Sequence, residues 1–224
     1  MNKTYIKRPN YLKKITPYIG KDVIKVLIGQ RRVGKSYMMI QIMDELKKSG
    51  VDGKNIIYIN MELHEHEDIS NHRDLLKYIK HKSDNKAKKY VFIDEIQDIG
   101  QFEKALSSLQ AQGGYDLYIT GSNAKLLSGE LATRLSGRYV ETKVFGLSYP
   151  EFIIFHKLEN DRSALLKYIK YGGLPYLVNL ELTDNVVYDY LNSIYSTILY
   201  KDVIGRYSIR NSAFLERLVE FLAD

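Results

Sequence analysis

The chain has 224 residues, 45% hydrophobic and 27% charged, with a formal net charge of +6 and no cysteine. That is a globular composition, long enough for one α/β domain and a smaller appendage. It excludes disulfides, thiolate chemistry and Cys-ligated zinc, and it fits a cytoplasmic protein. No apolar run approaches the roughly 18 residues of a membrane span, so no membrane contact is expected. The N-terminus lacks the apolar stretch of a secretory signal. The positive balance permits acidic or nucleic-acid partners without requiring them.

Tyr5 to Tyr18 is mixed in character and punctuated by Pro9 and Pro17. It is expected to pack across the ligand edge or the back of a sheet. Val23–Ile28 reads as a core strand, and it feeds into Gly29-Gln-Arg-Arg-Val-Gly-Lys-Ser36. This is a complete G-x-x-x-x-G-K-[ST] phosphate loop, followed by a helical pattern from Ser36 to Lys48. Between strand and helix, successive N–H groups converge on one point, and the helix dipole adds positive potential there. Gly29, Arg32, Val33, Gly34, Lys35, Ser36 and Tyr37 are the expected nucleotide contacts. Lys35 would reach the β- and γ-phosphates of ATP, and the Ser36 hydroxyl would bind Mg²⁺.

Ile56–Asn60 reads as a short buried strand. The run Asn60, Glu62, His64, Glu65, His66, Glu67 and Asp68 has no fixed metal-ligand spacing and is expected to be a solvated acidic loop. Asn71–His81 reads as a basic amphipathic helix. Lys89 to Ile96 then runs four apolar residues into Asp94 and Glu95. A continuous apolar run predicts a strand buried on both faces, as in a parallel sheet. Asp94 is the expected second Mg²⁺ residue, through a water, and Glu95 the group that polarises the attacking water.

Phe102–Gln112 reads as a helix ended by Gly113-Gly114. Leu117–Thr120 is another strand, after which Asn123, with Ser122 second, is the candidate γ-phosphate sensor. Arg134 and Arg138, four apart, are placed on one helix face just before a last strand at Tyr139–Phe145. Either arginine could offset transition-state charge, Arg138 being the first choice. Strands alternating with helices predict a parallel α/β sheet. The predicted division is 1–146 as ATPase core and 147–224 as a helical module. Ser148-Tyr-Pro-Glu151 looks like a capping box opening that module. The apolar face of Phe214, Leu215, Leu218, Val219 and Phe221 runs to the last residues, so a fragment of a longer protein is expected.

Taken in order, Gly-Gln-Arg-Arg-Val-Gly-Lys-Ser, Phe-Ile-Asp-Glu-Ile-Gln, Thr-Gly-Ser-Asn, Leu-Ser-Gly-Arg and Tyr-Gly-Gly-Leu-Pro resemble bacterial and archaeal AAA-superfamily ATP-binding proteins. The nearest in pattern carry a C-terminal domain of unknown function. The resemblance implies a three-layer P-loop fold with a five-stranded sheet in 5-1-4-3-2 order and a helical lid. It implies that Gly173-Leu174-Pro175 lies near the adenine or ribose, with Pro175 among the nucleotide contacts. It also implies that a second domain begins near Tyr190. No sensor arginine stands beside Gly173, a departure from the pattern.

The expected function is Mg²⁺-dependent ATP hydrolysis driving a conformational cycle on a partner. Self-assembly or a protein partner would be engaged through Arg134 or Arg138. A nucleotide-controlled switch with very slow turnover is the alternative. A small-molecule phosphotransferase is disfavoured, because transfer to a substrate hydroxyl has no use for Glu95. The basic helix with Arg73, Lys77, Lys80 and Lys82 permits a nucleic-acid role, but no motif that reads DNA accompanies it.

Overall fold

A computed structural model of the chain describes residues 5–83, 87–122, 135, 137–204 and 211–223. Five parallel strands form one sheet: β1 (Ile24–Gly29), β2 (Ile56–Asn60), β3 (Lys89–Asp94), β4 (Tyr115–Ser122) and β5 (Tyr139–Lys143). Their spatial order is β2-β3-β4-β1-β5, the order implied by the resemblance. β4 lies between β1 and β3, with Leu27 facing Thr120 and Ile93 facing Ile119 in register. The C-terminal ends of β1, β3 and β4 therefore meet along one edge.

Side chains alternate across the sheet, and its two faces differ. One face carries Val26, Ile28, Ile57, Ile59, Val91, Ile93, Leu117 and Ile119 into an apolar core. Leu75 and Ile79 of α3 (His72–Lys82) and Ala105, Leu106 and Leu109 of α4 (Phe102–Gln112) close that core. The opposite face carries Lys25, Phe92, Asp94, Asp116, Tyr118 and Thr120, all buried. Phe92 and Tyr118 stack at 4.3 Å in its middle.

Tyr5–Tyr18 holds a short helix, α1 (Pro9–Ile15), that the mixed sequence did not suggest. Tyr11 and Ile15 bury one side of it, and Pro9 at the first position needs no N–H partner there. β1 leads through the phosphate loop into α2 (Lys35–Lys48). α3 begins at Asn71, whose side chain accepts from the Arg73 and Asp74 N–H groups, an ordinary N-cap.

The chain divides into two compact units, Met1–Glu151 and Phe152–Asp224. Helix α5 (Tyr149–His156) runs through the division. The second unit holds α6 (Arg162–Tyr171), capped by Asp161, then α7 (Asp184–Thr197) and α8 (Ser212–Ala223). Tyr171, Leu177 and Val187 form its small core. Pro175 opens a 3-10 turn, Pro175–Asn179, in this unit. Among the described residues, no helix is long and apolar enough to cross a membrane.

Candidate functional site

The phosphate loop is held in shape by backbone that only certain residues tolerate. A Cβ on Gly29 would stand 2.2 Å from the Val144 carbonyl oxygen. Gly34, at φ 94°, starts α2 from the left-handed region, where glycine carries no Cβ penalty. Arg32 also has a positive φ, 66°. Among the described residues no side chain caps α2, which suits its first N–H groups to an outside acceptor.

Lys35 is buried at 5% exposure. Its ammonium donates to the carbonyls of Gly29 (3.0 Å) and Gln30 (3.2 Å) and lies 3.7 Å from Glu95 Oε1. Asp94 is 1% exposed at the end of β3. The Thr120 hydroxyl donates a short hydrogen bond to Asp94 Oδ1, and the Tyr58 hydroxyl donates to Oδ2 at 3.1 Å. Burial, with the neighbouring Asp94 charge behind it, raises the Tyr58 hydroxyl above the usual tyrosine value. It therefore stays a donor at neutral pH.

Glu95 sits at φ 55°, a left-handed position that costs a non-glycine residue on the order of 1 kcal/mol or more. Its N–H donates to Thr120 Oγ1 at 2.9 Å, and its Oε2 accepts from Gln97 Nε2 at 2.5 Å. Thr120 thus links the two acidic residues: its hydroxyl donates to the Asp94 carboxylate and accepts from the Glu95 backbone N–H.

These contacts place Lys35, Asp94 and Glu95 together, with Gly29, Val33, Gly34 and Ser36 on the same loop and first helical turn. Arg32 and Tyr37 are exposed beside it. Asn123 and Arg134 lie outside the described residues. Arg138 is exposed and stands in a turn closed by its N–H to the Leu135 oxygen at 2.9 Å. That corrects the expectation of a helix face at this position: Gly137, at φ 71°, turns the chain into β5. The Arg138 carbonyl accepts from the Ile24 N–H at 2.9 Å. Arg138 therefore lies beside the first residue of β1, while the phosphate loop begins at its last. That separation is about 16 Å at strand rise, farther than an arginine extends.

Sequence reasoning missed Thr120, Tyr58 and Gln97. A threonine ending an apolar run carries no signal until the register sets it opposite the Asp94 strand. His66 is a further correction. It is buried at 3% exposure, with Nδ1 3.0 Å from the Asn60 carbonyl and Nε2 3.3 Å from the Tyr78 hydroxyl, instead of lying in a solvated loop.

Among the described residues, no group of three His, Asp or Glu side chains could hold a metal by itself. Ser36 and Asp94 instead suit Mg²⁺, which takes one or two protein oxygens, keeps waters and fills its shell from phosphates.

The AAA domain family matches residues 21–153. An uncharacterized Haemophilus influenzae protein is 37% identical over 231 residues, spanning 100% of this chain and 57% of its own length. An uncharacterized Methanocaldococcus jannaschii protein is 35% identical over 199 residues, 84% of this chain and 43% of its own. The chain thus spans about half the length of the curated relatives it matches. AMPPCP-bound DnaA from Aquifex aeolicus is similar in fold, with a TM-score of 0.52 at 14% identity over 99% of this chain and 71% of that one.

Proposed function

The chain belongs to the AAA-domain family, and on that premise we propose that it binds ATP with Mg²⁺ and hydrolyses it to drive a conformational cycle on a partner. One observation carries this reading: buried Lys35 and Asp94 and half-buried Glu95 are brought together at the shared C-terminal edge of β1, β3 and β4. That edge is where open α/β sheets bind ligands. The DnaA similar in fold holds AMPPCP, which supports an adenine nucleotide as the ligand.

The loop N–H groups and the uncapped start of α2 receive the phosphates. Lys35 exchanges its two carbonyls for β- and γ-phosphate oxygens, a stronger charge-assisted pairing. That exchange also frees Glu95 Oε1 to orient a water for attack on the γ-phosphorus. Ser36 and Asp94 would hold Mg²⁺, which would supply charge neutralisation on the phosphates. Thr120 and Tyr58 fix the Asp94 rotamer. Arg138 cannot reach its own molecule's phosphates, so its finger role is assigned to a neighbouring subunit's nucleotide, with Arg134 second. Asn123 is retained as the γ-phosphate sensor.

A switch with very slow turnover is the second reading. The contact favouring it is Gln97 on Glu95 Oε2, a donated hydrogen bond that lowers the carboxylate's basicity toward a water at Oε1. Isothermal titration with Mg·ATP, followed by phosphate release without any added co-substrate, tests both. Binding with release supports the hydrolase, and binding with release slower than about one per hour supports the switch. Absence of binding by folded protein overturns the nucleotide reading.

A further inference from the structure

Arg8 is 3% exposed, and all five of its guanidinium donors are engaged. Nε donates to Glu151 Oε1 at 2.8 Å, and Nη2 donates to Glu151 Oε2 at 2.9 Å and to the Gly146 carbonyl at 3.0 Å. Nη1 donates to the Phe145 carbonyl at 2.9 Å and to the Val33 carbonyl at 3.3 Å. Five donors is the full capacity of arginine. The residue is itself pinned. Its N–H donates to Gln41 Oε1 of α2 at 2.9 Å, and its guanidinium lies 4.5 Å over the Tyr11 ring.

One of those acceptors belongs to the phosphate loop. In a planar trans peptide the C=O and the following N–H point to opposite sides. Holding the Val33 carbonyl therefore sets the direction of the Gly34 N–H, and a cation on the oxygen polarises that N–H into a better donor. The other acceptors lie on the segment leaving β5, the same segment whose Val144 carbonyl abuts Gly29. Glu151 has a second duty, since its Oε2 accepts from the Ser148 N–H at 2.9 Å and caps the start of α5. A single side chain thus ties the loop peptide, the strand exit and the first turn of the helix that leaves this unit.

We propose that Arg8 is a positioning residue for the nucleotide phosphates: it aims the Gly34 N–H through the Val33 carbonyl and couples that peptide to the 145–151 segment. The role rests on the nucleotide reading above. Lysine cannot replace arginine here, because one ammonium has three donors and no planar fork. Among the described residues, Glu151 reaches the loop through Arg8.

The test measures Mg·ADP and Mg·ATP affinity by calorimetry, with amide hydrogen exchange across residues 30–36 of the nucleotide-free protein. Arg8→Lys is expected to weaken both nucleotides about tenfold, the loss of one well-aligned charge-assisted contact, and to speed exchange in that loop selectively. Glu151→Gln, which leaves Arg8 on Val33, is expected to weaken them only about threefold, and it stands in if Arg8→Lys does not fold. Tyr11→Phe removes the acceptor for the Phe145 N–H at 3.0 Å without touching the loop, and is expected to leave affinity unchanged. Folded Arg8→Lys binding like wild type, or exchange rising equally throughout the chain, overturns the proposal. Wild-type protein that takes up neither nucleotide overturns the proposed function; in that case loop exchange that still quickens selectively in Arg8→Lys upholds the brace on the Val33 peptide, and unchanged loop exchange overturns it as well.

Discussion

A buried lysine stands beside a carboxylate at each end of the sheet, and the two ends are built differently. At the N-terminal end, Lys25 and Asp116 form a short ion pair with side chains 2% and 0% exposed. Asp116 also accepts from the Tyr118 hydroxyl at 2.9 Å and the Gly20 N–H at 2.7 Å, and Lys25 donates to the Lys21 carbonyl at 2.9 Å. Burial still pulls the Lys25 pKa below its usual value, against the pull of Asp116. At the C-terminal end, Lys35 leans on two carbonyls and stands 3.7 Å from Glu95. In the first cluster the lysine is paired directly with a fully buried carboxylate. In the second, the lysine's partners are weaker than a phosphate and can be exchanged for one. A buried cation marks a ligand site when its contacts are replaceable, not merely because it is buried.

The largest effect tests the permanent end. Asp116→Ala leaves Lys25 buried without its anion and should cost about 3–5 kcal/mol, read by urea unfolding. A loss under about 1 kcal/mol would mean the two ends are alike after all. At the exchangeable end, Glu95→Gln should retain Mg·ATP and lose about 10²–10⁴-fold in turnover. Lys35→Ala should lose about a hundredfold in affinity, measured by calorimetry, with little change in stability. If either substitution unfolded the protein as Asp116→Ala should, the distinction would fail.

Thr120→Val sits between the two kinds. It strips a donor from Asp94 and an acceptor from the Glu95 N–H, and about 1–3 kcal/mol of stability should go. Turnover at saturating nucleotide should fall with it; unchanged turnover would assign Thr120 to the fold alone. The smallest effect is in acid. Burial pushes the Glu151 carboxyl up, but hydrogen bonds from Arg8 and Ser148 outweigh it and leave the pKa below 4.5. A carboxylate lowered on folding contributes stability that is complete above 4.5 and lost as pH falls through the folded value. Glu151→Gln should therefore flatten the decline of unfolding free energy as pH falls below about 4.5, with Glu45 and Asp184 contributing equally to both proteins.

Lys35, Asp94 and Glu95 were legible because phosphate chemistry demands those residue types at fixed spacing beside a strand. Thr120 and Tyr58 were not, since their function depends on which strand β4 and β2 lie against. His66 was misread because a histidine among acidic residues looks hydrated until a loop folds its ring onto Asn60 and Tyr78. Arg8 looked like an ordinary basic residue in a mixed segment. Its five acceptors lie near positions 33, 145 and 151, and no local pattern joins them.

Local grammar alone determined the phosphate loop, the alternation of strand and helix and the acidic strand end. Each depends on backbone freedom, side-chain period or charge within a few neighbouring positions. The tertiary structure decided which lysine is locked and which is free to meet a ligand, where Arg138 stands and what Arg8 braces. Those outcomes depend on strand order and on partners more than a hundred residues away along the chain, where only folding sets the distances.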